Sequence, residues 1–297
     1  MEIIEVGPRD GLQNEQVVLD VDTRARYIEM IVAAGARRIE AVSFARPDRV
    51  PQMAGAEELM RVVPRIEGVS YIGLVMNPRG TDRAIESRVD EGNIVVVATD
   101  TFSRRNQGRT LAETLHALPP MIDALRAAGI RTTVTIGAAF GCPFEGEVAV
   151  ERVAEIAERV STLGLDELAL ADTIGVAVPR DIRARVNAVR AVSDLPLRLH
   201  LHNTRNTGYA NALAALELGV DALDASTGGI GGCPFAPAAT GNIATEDLLY
   251  LAERSGYESS LDIDGVIAAT AFVTGELGIR AEAMLGRAGV FPPVSPR

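Results

Sequence analysis

Two of the three histidines in this chain, His200 and His202, stand two residues apart in LPLRLHLHNT, at the end of an apolar run. Residues i and i+2 of a strand share a face. Two imidazoles on one inner face can hold a single metal ion, and a carboxylate, Asp10, follows directly on the first apolar run of the chain. Two imidazoles, a carboxylate and water suit Mg²⁺, Mn²⁺ or a related divalent ion. The blander alternative is one hydrogen-bonded core histidine and one exposed one. Cys142 and Cys233 are the only cysteines, so no cysteine pair is spaced for structural zinc.

Other polar residues cluster at similar places. Arg9 adjoins Asp10, and the pair reads either as chemistry or as a structural salt bridge. Glu40 lies inside the apolar run RRIEAVSF. It must face a polar interior or pair with an arginine, because an unpaired buried charge is costly. Asp172 closes another run as a base or as the cap of the next helix. Cys233 sits in the glycine-rich stretch GGIGGC. No GK[ST] follows, so this is not a P-loop. The stretch reads equally as a mobile loop carrying a thiol over a site or as a loop with an inert cysteine.

The elements that must position these groups are short β-like runs at 2–6, 37–44, 69–77, 93–99, 131–140, 167–172, 196–202 and 222–227. Most are almost continuously apolar, as strands covered on both faces are. Amphipathic patterns alternate with them. In VAVERVAEIAERVSTLG, the residues Val153, Ile156, Ala157, Val160 and Leu163 recur at helical spacing. Glycines such as Gly35, Gly129, Gly164 and Gly219 mark helix ends. Eight strand–helix units predict an α/β fold, a (β/α)8 TIM barrel over about 2–255, with extra C-terminal helices over about 256–290 of one catalytic domain spanning 1–297. An open doubly wound sheet is the alternative, weakened by the lack of GxGxxG after the first strand. In a TIM barrel the polar strand ends all meet at one mouth.

The net charge of −11, with no long basic run, argues against nucleic-acid or anionic-membrane binding. An anionic substrate would need local arginines. The start MEIIEVGPRDG lacks the pattern of a signal peptide, and no run of about 18 apolar residues predicts a membrane span. Two cysteines make no disulfide framework, and the expected location is cytoplasmic.

VGPRDGLQNE, VSFARPDRVPQMAGAEEL, GCPFEGEV, ADTIGVAVP, HLHNT and DASTGGIGGCPFAPAATGNIATEDLLYL together resemble the 3-hydroxy-3-methylglutaryl-CoA lyase family, in order, from about residue 2 to residue 255. The wider superfamily of isopropylmalate and homocitrate synthases is similar in the barrel, the arginine–aspartate pair and the HxH, without the cysteine loop. The resemblance implies a divalent metal, Mg²⁺ or Mn²⁺, held by Asp10, His200, His202 and Asn242. It implies Arg9 at the thioester carbonyl, Cys233 acting from the loop, and Glu40 and Asp172 organising the site. The implied partner is an acyl-CoA substrate, with a homodimer or higher homo-oligomer as a further expectation.

The implied reaction is retro-Claisen cleavage of a 3-hydroxyacyl-CoA to acetyl-CoA and an oxoacid. The default substrate is 3-hydroxy-3-methylglutaryl-CoA, which gives acetoacetate. Asp10 or His200 would take the hydroxyl proton, Arg9 would stabilise the enolate, and Cys233 would reprotonate it. The alternatives are a lyase for another 3-hydroxyacyl-CoA, such as citramalyl-CoA, or a Claisen-condensing synthase. The chain departs from the family pattern at Gln16, Asp48, Arg49, Phe144, Asn203 and Arg205. These changes bear on the acyl group and the coenzyme A contacts, and Phe144, Asn203 and Arg205 are the specificity residues to test if the substrate is another 3-hydroxyacyl-CoA.

Overall fold

Eight parallel strands close on themselves in chain order, β1 pairing with both β2 and β8. The computed structural model describes residues 1–232 and 241–292. The strands are β1 (Glu2–Glu5), β2 (Arg38–Ser43), β3 (Ser70–Val75), β4 (Glu91–Val97), β5 (Arg131–Gly137), β6 (Glu167–Ala171), β7 (Leu197–His200) and β8 (Ala222–Ala225). Around them run α1 (Val21–Ala33), α2 (Ala56–Val62), α3 (Pro78–Glu86), α4 (Asp100–Gln107), α5 (Leu111–Ala127), α6 (Val150–Ser161), α7 (Pro179–Arg190), α8 (Gly208–Glu217) and α9 (Thr245–Arg254). Two extra helices follow, α10 (Ile263–Leu277) and α11 (Leu285–Ala288), and α10 packs against α1. The TIM barrel with extra C-terminal helices is therefore the observed fold, and the open sheet is excluded. Among the described residues no helix is long and apolar enough to cross a membrane.

The apolar periodicity of α6 is used as its spacing predicts: Val153, Ile156, Ala157 and Val160 are buried against the barrel. Every strand departs from the sequence reading by one to three residues at one end at least, and two of these shifts have a visible reason. β4 begins at Glu91 rather than Asn93, because the Glu91 carboxylate is fully buried and takes a bidentate grip from Arg38 at 2.7 and 2.8 Å. β5 stops at Gly137 rather than 140, because Ala138 turns into the left-handed region at φ 54°.

The barrel interior is unusually ionic for its size. Arg38 also holds Glu167 at 2.8 and 3.0 Å, and Arg198 lies within 4.0 Å of Glu91, Glu167 and Asp224. Ile4, Val6, Ile72 and Ala222 supply a small apolar patch inside. Charges so deeply buried persist only in mutual compensation. Their ladder runs upward from the floor of the barrel and ends at Asp224, next to the first histidine.

At the mouth, the β1 turn and the segment after β8 are built as one piece. The Val6 carbonyl accepts from Arg9, Asp10 and Gly11 N–H in a wide turn. Gly231, at φ 103°, lies so close that a Cβ there would stand 2.8 Å from Gly11 Cα. Beneath them the buried Glu5 carboxylate accepts from Gly7 N, Thr227 N, Thr227 Oγ1 and Thr245 Oγ1, all within 2.9 Å. One side chain thus ties β1, the root of the glycine-rich stretch and the start of α9.

Candidate metal centre

Parallel register places the first imidazole. His200 closes β7 opposite Asp224 of β8, and Asp224 Oδ2 lies 3.1 Å from His200 Nδ1. The regular ladder of β7 ends at His200, but His202 stays extended and forms a bridge with Asn242. The two rings therefore still turn to one side, with their Nε2 atoms 3.0 Å apart. Asp10 arrives from the β1 turn, its Oδ2 lying 3.7 Å from His200 Nε2.

Asp10, His200 and His202 are the one group of metal-competent side chains among the described residues, their donor atoms all within 4.8 Å of one another. The donor set fits a divalent ion. Two ligands about 2.1 Å from one ion and at right angles stand about 3.0 Å apart, as the two ring nitrogens do. An ionised Asp224 can only accept, so His200 Nδ1 carries the proton and Nε2 presents its lone pair. Among the described residues, His202 Nδ1 is buried without a hydrogen-bond partner.

The surrounding carboxylates favour positive charge at this point, whether a proton or a metal ion. Burial pulls the His200 pKa down, but the Asp224 hydrogen bond and the charges of Asp10 and Asp224 outweigh it and raise the pKa. His202 is drawn down to about 3 by burial and then by the His200 charge, so it is a neutral ligand at working pH. Burial opposes ionisation of Asp10, yet Arg9 and the histidines hold its carboxyl well below the usual range. At Asp224, burial is likewise outweighed, chiefly by Arg198, and the group stays ionised.

Arg9 is fixed by three contacts to two carboxylates. Nε donates to Glu40 Oε2 at 2.7 Å, Nη2 also pairs with Glu40, and Nη1 pairs with Asp10. Glu40 sits at a register irregularity of β2, and its Oε1 accepts from Asn93 at 2.9 Å. The guanidinium is thus aimed into the mouth by a carboxylate that is itself held. Asn242 stands beside the triad, donating through Nδ2 to Asp10 Oδ2 at 3.0 Å and to Ile230 O at 3.2 Å. Among the described residues, Asp172 makes no hydrogen bond to this cluster, though His200 is near enough to act on its charge. Its two oxygens accept from Val176 and Ala177 N–H at 2.9 and 3.1 Å, shaping the loop after β6. Cys233 lies outside the described residues. Cys142 is buried, its sulfur accepting from Thr99 Oγ1 at 3.0 Å.

Sequence reasoning overlooked Asp224, although a lone acid in a four-residue buried strand carries the same signal as Glu40. Replacing it tests the arrangement. Asp224→Asn is expected to weaken Mn²⁺ binding about 10- to 100-fold, because the charge that fixes the His200 tautomer is lost. Calorimetric titration with Mn²⁺ measures this, and an unchanged affinity would remove Asp224 from the centre.

The triad and Arg9 line a cavity of about 380 Å³ that opens at the barrel mouth. Phe144, Asn203 and Arg205, expected as specificity residues, do not line it. Phe144 packs edge-on behind Phe102, the ring centroids 5.5 Å apart, and Arg105 lies over its outer face. Asn203 Oδ1 accepts from Gly208 N at the start of α8, and Arg205 donates to the Ile174 and Gly175 carbonyls. The contacts of Asn203 and Arg205 tie together the loops after β6 and β7.

Residues 1–273 match the family model described as HMGL-like. The chain is 44% identical to the (R)-citramalyl-CoA lyase of Chloroflexus aurantiacus, covering 98% of this chain and 96% of that protein. It is 39% identical to the hydroxymethylglutaryl-CoA lyase of Pseudomonas mevalonii, covering 97% and 93%. Among solved structures, an HMG-CoA lyase from Acinetobacter baumannii in complex with coenzyme A and 3-methylmalate superposes with a TM-score of 0.94 at 36% identity, over 100% of this chain and 97% of that one. Barrel, triad and similarity over nearly the whole length agree, and the chain belongs to the HMGL-like family as a carbon–carbon lyase of the HMG-CoA lyase type.

Proposed function

We propose that this lyase cleaves a citramalyl-CoA-type thioester to acetyl-CoA and pyruvate, with Asp10, His200 and His202 holding a divalent metal and Asn242 as its fourth ligand. The observation that carries the reaction class is the triad beside a guanidinium fixed by two carboxylates in one cavity. The substrate rests on the 44% identity to a citramalyl-CoA lyase over 98% of the chain. A second reading, 3-hydroxy-3-methylglutaryl-CoA cleaved to acetyl-CoA and acetoacetate, is supported by the 39% identity to a lyase of that name.

When bound, the metal supplies Lewis acidity that lowers the pKa of the substrate's tertiary hydroxyl. The residues do the rest. Asp10 is the group placed to take the hydroxyl proton, since both His200 ring nitrogens are committed, Nδ1 to Asp224 and Nε2 as a ligand. The C2–C3 bond breaks, its electron pair passes to C2, and C3 becomes a ketone carbon. Negative charge gathers on the thioester oxygen, where Arg9, immobile between Glu40 and Asp10, needs no reorganisation to stabilise it. Cys233 is assigned the proton that C2 takes up to complete acetyl-CoA.

Purified protein with and without Mg²⁺ or Mn²⁺, given (R)-citramalyl-CoA and 3-hydroxy-3-methylglutaryl-CoA separately, tests the reading by mass spectrometry. Metal-dependent release of acetyl-CoA and pyruvate, at a kcat/KM at least about tenfold above that for the longer substrate, is expected, since a pocket separates homologues differing by one methylene by about 10- to 200-fold. The reverse preference would install the second reading. Condensation of acetyl-CoA with an oxoacid, without cleavage, would sink both.

A further inference from the structure

Of the family departures named above, Arg49 alone lines the cavity that holds the triad. Its neighbours on the rim show why that matters. The chain carries a net charge of −11, so cations gathered at one opening are not a sample of the average surface. Four arginines line this cavity: Arg9 inside, and Arg46, Arg49 and Arg109 at the mouth.

Most arginines in and around the mouth are already engaged. Arg9 is held at the reacting end by Glu40 and Asp10. Both arms of the Arg46 fork are taken by Asp48, at 2.9 and 2.6 Å. Arg105 lies over Phe144, 4.2 Å from the ring centroid, and Arg104 is outside the lining. Arg49 and Arg109 differ. Neither side chain makes a hydrogen bond, or an ion pair within 4.0 Å, among the described residues. Arg49 is held on the segment after β2 by its backbone N–H, which donates to Arg46 O. Arg109 lies on the connection between α4 and α5. Two uncommitted guanidinium groups, from two separate segments, thus face one opening.

We infer that Arg49 and Arg109 form the anion subsite that takes the phosphate groups of the thioester's coenzyme A, so that the nucleotide end is gripped at the rim while the acyl end reaches Arg9. The inference rests on the reading of the substrate as a coenzyme A thioester. A guanidinium presents parallel donors that match phosphate oxygens bidentately. The coenzyme carries its charge on a 3′-phosphate and a diphosphate, both far from the reacting carbon. Binding energy gathered there can be spent on positioning the acyl group.

The test measures calorimetric affinities of Mn²⁺-loaded protein for coenzyme A, 3′-dephospho-coenzyme A and pantetheine. The proteins are wild type, Arg49→Ala, Arg109→Ala, the double variant and Arg104→Ala. Each single variant at the rim is expected to weaken coenzyme A about tenfold, and the double about 100-fold, as two charge-assisted phosphate contacts are lost. Pantetheine, which lacks every phosphate, should bind all five proteins alike, and Arg104→Ala should bind coenzyme A as wild type does. A loss that vanishes with 3′-dephospho-coenzyme A assigns that arginine to the 3′-phosphate; one that persists assigns it to the diphosphate. Either supports the subsite. A double variant within about twofold of wild type for coenzyme A overturns it, as does an equal loss for pantetheine. Wild-type protein that binds coenzyme A with this dependence yet cleaves no thioester would refute the lyase substrate and keep the subsite. Failure to bind coenzyme A at all would end both.

Discussion

Asp10→Asn is expected to lower turnover by at least about 10³-fold, some 4 kcal/mol of transition-state free energy, and to abolish the rise in melting temperature that Mn²⁺ gives the wild type. Asp10 is the only anion within the triad. Its carboxyl is held ionised by Arg9 and accepts from Asn242, so the group is charged before any cation arrives. The amide is nearly isosteric but neutral. It removes the negative charge that offsets the cation and leaves one arm of Arg9 without its partner. Stabilisation by a ligand follows its affinity logarithmically, so melting curves at increasing Mn²⁺ read the loss directly. Equal stabilisation of variant and wild type would show that the ion binds elsewhere.

Arg9→Lys is expected to reduce kcat about 10²- to 10³-fold, the range for removing one preorganised donor from an oxyanion, while Mn²⁺ affinity changes only a few-fold. Lysine keeps the charge but not the fork. In the wild type, Nε and Nη2 are spent on Glu40 and Nη1 on Asp10, so the plane of the guanidinium is set before substrate enters. An ammonium has no plane to set, and Glu40, tied through Oε1 to Asn93, cannot follow it inward. Steady-state kinetics separates this from a binding defect, since an interaction made chiefly in the transition state lowers kcat more than it raises KM. A variant keeping more than about a tenth of wild-type kcat would exclude Arg9 from charge stabilisation.

The barrel was legible because its strands are buried on both faces and so read as unbroken apolar runs; all eight appear where the runs stand. One boundary failed where charge intruded, at Glu91, which is buried on Arg38, an arginine of another strand, and another where Ala138 turns left-handed. The triad was legible for a different reason. The HxH spacing puts both rings on one side, and barrel topology brings the end of β1 to the same rim. Asp224 escaped because its importance lies in register: only the pairing of β7 with β8 sets it opposite His200. Phe144, Asn203 and Arg205 were read as specificity residues from their place in motifs. Which residues form the cavity wall is what sequence lacks, and none of the three is among its lining. Arg109 gave no signal at all, since a connection between two helices has no periodicity to read.

The closure of β1 on β8, together with the Glu5 carboxylate that ties Gly7, Thr227 and Thr245, has a consequence for the life of the chain on the ribosome. One ligand emerges near the start of synthesis and the two histidines only after two thirds of it, while the clamp waits for residue 245. Contacts of such sequence separation form late in folding. A nascent chain has no complete ligand set and cannot capture a metal ion with its early segments alone. Metal uptake therefore marks the finished barrel, and a chain that has loaded its ion has already passed its own test of assembly.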